Sequence, residues 1–174
     1  MRLNPRNATL FSVLIALSFT GPMLGAQAKQ PTKTKPSGIQ VKMIRSDEIT
    51  LPAEFQVSLY ENLIDQLQKK AVFQRVYRDG DQAANNGDDL ITLQCSLMKF
   101  KKGSETLREV TTLAGATSMT LRCQFMDKAG NTVLVRDITG KVRFFGGNLK
   151  ATYDFAKKVA KVADENFSSA AARS

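Results

Sequence analysis

The chain has 174 residues, with 25 Lys plus Arg against 16 Asp plus Glu, a formal charge of +9, two Cys, and neither His nor Trp. That length fits one domain, or one domain behind a processed leader, and 43% hydrophobic residues are enough for a buried core, which excludes wholesale disorder. The lack of His excludes Ser-His-Asp and Cys-His nucleophile systems, His general bases and every His-containing zinc site.

Residues 1–28 have the layout of a secretory signal peptide. Arg2 and Arg6 make a positive start, and no acid precedes Asp47. Leu10 to Phe19 is an apolar run about ten residues long, within the ~7–15 of an h-region and short of the ~20 that span a bilayer. Ala26-Gln27-Ala28 supplies the small-x-small cleavage pattern, with Leu24-Gly25-Ala26 as a second option. Cleavage near Ala28 makes the mature protein periplasmic or secreted and leaves it at +7. The alternative is an uncleaved anchor, the only route by which this chain is expected to meet a membrane. Residues 29–37 are polar, basic and rich in Pro and Thr, as in a solvated linker, and 168–174 read as a disordered tail.

Between them, residues 38–167 read as a single domain. Ile39, Val41 and Met43 alternate with Gln40 and Lys42, the period of a half-buried strand. Thr50-Leu51-Pro52 marks a helix start, since Pro is tolerated in a first turn. Phe55, Leu59, Leu63 and Leu67 then form one stripe, with Glu54 at its amino end and Lys69 and Lys70 at its carboxyl end, as the helix dipole favours. Val72 to Tyr77 is a weaker strand, and 79–89 is a run of turn formers. Leu90 to Phe100 alternates cleanly, as do Met119, Leu121, Cys123 and Phe125 after a long connection. Asp127 to Asn131 is a hairpin turn, and Thr132 to Ile138 returns as the next strand. Val142 to Phe145 is either a last strand or a continuation of that one. The final helix gathers Phe155, Val159, Val162 and Phe167 with four alanines on one arc and its charges on the other.

Two amphipathic helices need one sheet face to cover. The expected fold is therefore α+β, a two-layer sandwich with a mixed, mostly antiparallel sheet and both helices on one face.

Cys95 and Cys123 fall in phase on the apolar faces of consecutive strands. An oxidising compartment favours a disulfide there, whereas facing sheet residues come close enough only in a non-hydrogen-bonded pair, so two buried thiols are the alternative. Asp79, Asp81, Asp88 and Asp89 hint at calcium, but Ala83 stands where a ligand is needed and no Glu closes the loop, so a solvated turn is expected. Gly146-Gly147-Asn148 reads as an ordinary helix entry with a capping Asn; it matches no phosphate-binding loop, though free N–H groups there are anion-binding in principle. Basic residues cluster at Lys99, Lys101, Lys102 and Arg108, and again at Lys157, Lys158 and Lys161. The aromatics near them fall mostly on buried faces and the leader directs the chain away from nucleic acid, so they do not read as a nucleic-acid surface; solubility or an anionic envelope surface accounts for them better.

Phe100-Lys101-Lys102-Gly103-Ser104, followed by Arg108, Gly115-Ala116, the Asp127 to Gly130 turn and Gly146-Gly147, resembles an uncharacterised bacterial family of exported, often lipid-anchored domains. Its members share an F-x-x-G-S-x-x-x-R segment, a small-residue stretch and a D-x-x-G turn. The resemblance spans roughly residues 38–167 and extends distantly to the amino-terminal domain of TolB and to curli-secretion lipoproteins. It implies a related envelope fold, and assembly or binding rather than catalysis. The chain departs in lacking a lipid-bearing Cys after the leader and in having Leu113-Ala114 where more glycine is usual.

Gly103, Ser104 and Arg108 sit on a connection of about 17 residues, long enough to dock a partner, or else simply extending the hairpin through Thr111 and Leu113. The expectation is an exported periplasmic non-catalytic binding or envelope-assembly module, its partner an envelope protein or an anionic envelope polymer. No catalytic residue, metal, cofactor or nucleic acid is expected. The alternatives are a cell-wall hydrolase with a Ser-Lys site, for which Ser104 with Lys102 lacks the spacing of a dyad, or a carboxylate-only site, and an electrostatic binder of the anionic envelope surface.

Overall fold

Apolar alternation on three successive segments builds the sheet. A computed structural model describes residues 36–86, 89–104, 106, 115–142 and 147–168. The expected leader at 1–28, residues 29–35, Asp88, Arg108, Thr111, Leu113-Ala114, 143–146 and the expected tail from 169 lie outside the described residues. The elements are β1 (Gly38–Val41), α1 (Ala53–Lys70), β2 (Arg75–Tyr77), a short 3-10 turn (Gln82–Asn86), β3 (Leu90–Lys101), β4 (Thr117–Met126), β5 (Thr132–Val142) and α2 (Lys150–Phe167). They form one open five-stranded sheet in the order β2-β1-β3-β4-β5, with β1 parallel to both neighbours and β3-β4-β5 an antiparallel meander. This is the α+β architecture expected.

The core lies between the sheet and the helices. Leu93, Leu121 and Phe125 from the meander meet Phe55, Leu59 and Leu63 from α1 and Phe155 and Val159 from α2, all with no exposed surface. At ~1.5–3 kcal/mol for each large apolar side chain, this interface is the main source of stability. The alanines of α2 allow close approach. At β5 the fit is tightest, because a Cβ on Gly140 would stand 2.2 Å from the Ala151 carbonyl oxygen. Thr152, which the apolar arc omitted, is fully buried between the helices. Its hydroxyl donates to Leu149 O at 2.6 Å and accepts from Asn62 Nδ2 at 2.9 Å, so burying it leaves nothing unsatisfied.

Two local readings change and one open alternative is decided. β1 is buried along its whole length and ends at Val41, so it is not half-exposed, and Met43 lies outside it. The reason is position: β1 is flanked on both sides, and the segment after β2 covers its far face, where Gln40 Nε2 donates to Arg78 O at 3.3 Å. Val142 belongs to β5, which runs unbroken through Gly140. Asn148 does not cap α2. Leu149 occupies the cap position, and the Asn148 side chain turns to Thr117 instead. At the domain's margins Ser37, at the end of the expected linker, already joins the sheet through Ser37 N to Asp89 O at 2.9 Å, and Ser168 N donates to Asp164 O at 3.1 Å.

Candidate functional site

The long connection begins where β3 runs out at Lys101, which pairs with Ser118 across the mouth of the hairpin. Just beyond, Gly103 lies against the returning chain. A Cβ there would sit 1.9 Å from the Gly115 carbonyl oxygen and 2.5 Å from the Ala116 carbonyl carbon, so only hydrogen fits. The Gly103 N–H donates to Thr117 Oγ1 at 3.0 Å, and the fully buried Thr117 hydroxyl donates in turn to Asn148 Oδ1. Three of the segments that carried the sequence resemblance therefore meet at one junction: the glycine after β3, the small residues before β4, and the entry to α2. Topology brings them together, since β3 and β4 pair and α2 starts beside the base of their connection.

Ser104 follows and is exposed, and Arg108 lies outside the described residues. Lys102 Nζ stands 3.9 Å from Glu54 Oε1 in the first turn of α1, which directs its charge toward that helix. Cys95 and Cys123 face each other directly across β3 and β4, with Cα atoms 4.2 Å apart, and are disulfide-bonded. So short a separation is that of a non-hydrogen-bonded pair, the one arrangement that suits a cross-strand bridge.

Several carboxylates are engaged by the fold. Asp79 accepts Met43 N–H at 3.0 Å and Lys42 Nζ at 3.0 Å, which hold its carboxyl below the usual range. Asp81 Oδ1 accepts Ala83 N–H at 2.9 Å as part of a turn. Both oxygens of Glu61 receive the Arg78 guanidinium, at 2.6 and 2.7 Å, and this hydrogen bonding lowers the Glu61 pKa. Among the described residues no group of three His, Cys, Asp or Glu is placed to hold a metal ion, and no helix is long and apolar enough to cross a membrane.

The structure separates the basic clusters. Lys158 and Lys161 on α2 pair with Asp154 and Glu165 on the same helix. Lys99 and Lys101 instead project from the sheet face opposite the helices, as their cross-strand partners Thr120 and Ser118 show. Lys141, paired with Ser118, shares that face. Arg45 bridges to Ser96 at the far side, and its guanidinium meets the Gln94 amide oxygen once that amide is oriented by its neighbours. The same face holds the Thr120–Thr139 hydroxyl pair at 2.8 Å and the Arg122–Asp137 fork at 2.8 and 3.0 Å. Arg45 and Lys141 were missed in the sequence because neither lies in a basic cluster; the outward phase of β3 to β5 was the signal that would have found Lys141.

A two-layer α+β domain with one open mixed sheet is thus the class of protein that the fold defines. No protein-family model and no curated protein matches the chain. Solved structures do. PelC from Paraburkholderia phytofirmans, a dodecamer, has a TM-score of 0.56 at 14% identity, over 76% of this chain and 91% of its own. A single-residue variant of that dodecamer gives 0.55 at the same identity, over 76% and 92%. XCC0632 from Xanthomonas campestris, of the DUF330 family, stands at 0.45 and 11% identity, over 80% and 86%. The likeness to PelC is one of fold.

Proposed function

We propose that this chain is an exported, non-catalytic module of the bacterial envelope that works by assembly, both with further copies of itself and with an envelope partner. The observation that carries this reading is the junction of Gly103, Gly115, Thr117 and Asn148. It fixes both ends of a long connection to the last helix, and so ties that connection to a rigid scaffold. The fold shared with a dodecameric protein supports assembly in multiple copies. The leader at residues 1–28 and the resemblance to exported, often lipid-anchored domains support the compartment.

Light scattering on the mature protein, from Lys29 onward, tests the reading. A mass of several chains that persists on dilution into the low micromolar range is expected. A single-chain mass at every concentration contradicts self-assembly, and recovery of the full-length chain from the cytoplasm contradicts export.

A further inference from the structure

Among the described residues no element covers the other side of the meander, and its outward side chains are mostly polar and basic, with Met98, Met126 and Val135 among them. The register sets them in rows across β3, β4 and β5: Lys101, Ser118 and Lys141 in one, Lys99, Thr120 and Thr139 in the next. Below these lie Ser96, Arg122 and Asp137, with Arg45 alongside, and then Gln94, Gln124 and Val135. Arg122 is neutralised by its fork with Asp137. Arg45, Lys99, Lys101 and Lys141 are exposed, and among the described residues no carboxylate lies within salt-bridge distance of any of them. A polar depression lined by Lys42, Arg45, Gln94 and the carboxylates Asp47 and Asp79 continues the face toward β1.

We infer that this face of the sheet binds an extended acidic polysaccharide, with the four cations meeting carboxylates and the hydroxyl and amide side chains between them meeting sugar hydroxyls. Charge complementarity and lining chemistry choose this occupant. Strands ~4.8 Å apart put Lys101 and Lys141 about 10 Å from each other and Lys99 about 7 Å along from Lys101, so charges are distributed along a path and not gathered at a point. Ser96, Thr120, Thr139 and Gln124 between them present donors and acceptors in a flat array, which suits a hydroxylated chain. No aromatic ring stands among the outward residues of β3 to β5 for a base to stack on, and the exposed apolar residues of these strands, Met98, Val133 and Val135, are too few and too small to enter a bilayer. The inference rests on the envelope reading for where such a polymer is met, but its test uses neither copy number nor compartment.

The test is binding of the mature protein to polygalacturonate at low salt, by biolayer interferometry, with neutral dextran, phosphatidylglycerol vesicles and single-stranded DNA as comparisons. The triple variant Lys99→Gln, Lys101→Gln, Lys141→Gln is set against Lys69→Gln, Lys157→Gln, Lys161→Gln, which removes the same charge from the helical side. Melting temperatures of both variants confirm that they fold. The sheet-face triple is expected to weaken polygalacturonate binding about tenfold and the helix-face triple less than about twofold, because the loss follows lost contacts and not net charge. A double variant, Thr120→Val with Thr139→Val, keeps every charge and is expected to weaken binding about threefold through lost hydrogen bonds to the sugar. Equal losses in the two triples, no binding by the wild type, or tighter binding to vesicles or DNA than to polygalacturonate would each overturn the inference.

Discussion

Replacing Gly103 with Ala adds one methyl group where the two ends of the long connection touch. Gly103 has an ordinary negative φ, so the backbone itself accepts Ala and the whole effect comes from contact. The new Cβ would lie 1.9 Å from the Gly115 carbonyl oxygen, whereas ordinary contacts begin at 3.4 Å, so the strands' ends must part by about 1.5 Å. Both neighbours are backbone and cannot rotate away. Overpacking of this kind costs about 1–3 kcal/mol, and stretching the Gly103 N–H to Thr117 Oγ1 bond adds about 1 kcal/mol. The expected loss is therefore about 2–4 kcal/mol, read as a lower urea midpoint at unchanged slope when unfolding is followed by far-UV circular dichroism. A variant within about 0.5 kcal/mol of wild type would refute the close approach and with it the junction.

Other outcomes follow from the same geometry. Gly140→Ala drives a Cβ to 2.6 Å from Phe155 Cβ and 2.2 Å from Ala151 O, and should destabilise by about 1–3 kcal/mol or more by prising α2 from β5; an unchanged midpoint contradicts that packing. Cys95→Ala with Cys123→Ala opens a bridge across a separation of 28 residues, for which the chain-entropy model gives about 3.6 kcal/mol. Thiol titration of the denatured, unreduced wild type should find no free thiol, and two free thiols would contradict the bridge. Asp79 is held below the usual carboxylate range by Met43 N–H and Lys42, so its contribution is present above about pH 3.9 and fades as pH falls further through its folded value. The urea-midpoint gap between wild type and Asp79→Asn should accordingly narrow from pH 7 to about pH 3, and a constant gap contradicts the linkage.

Much of this fold is legible in strand alternation. Ile91, Leu93 and Cys95 on β3, and Leu121, Cys123 and Phe125 on β4, alternate so regularly that both faces can be assigned, and the two Cys fall in phase. Register is what alternation leaves open: only the observed pairing shows Cys95 directly opposite Cys123. β1 misleads because alternation reports a strand with one wet face, and Gln40 is buried by the segment after β2, far away in sequence. Asn148 misleads in a similar way, since local capping preference yielded to a tertiary hydrogen bond from Thr117. The candidate site shows the same division. Gly103, Gly115 and Asn148 stand apart in the sequence, and their meeting depends on which strands pair and where the last helix begins. The four cations of the open sheet face are scattered from Arg45 to Lys141 and come together only when β3, β4 and β5 are laid side by side.

Native mass spectrometry of the protein released from cells by osmotic shock measures processing, oxidation and copy number at once. A chain lacking residues 1–28, lighter by the two hydrogens of the closed Cys95–Cys123 bond and present as a complex of several copies, is the expected result. A monomer that keeps its first 28 residues and both thiols would contradict the exported assembly module.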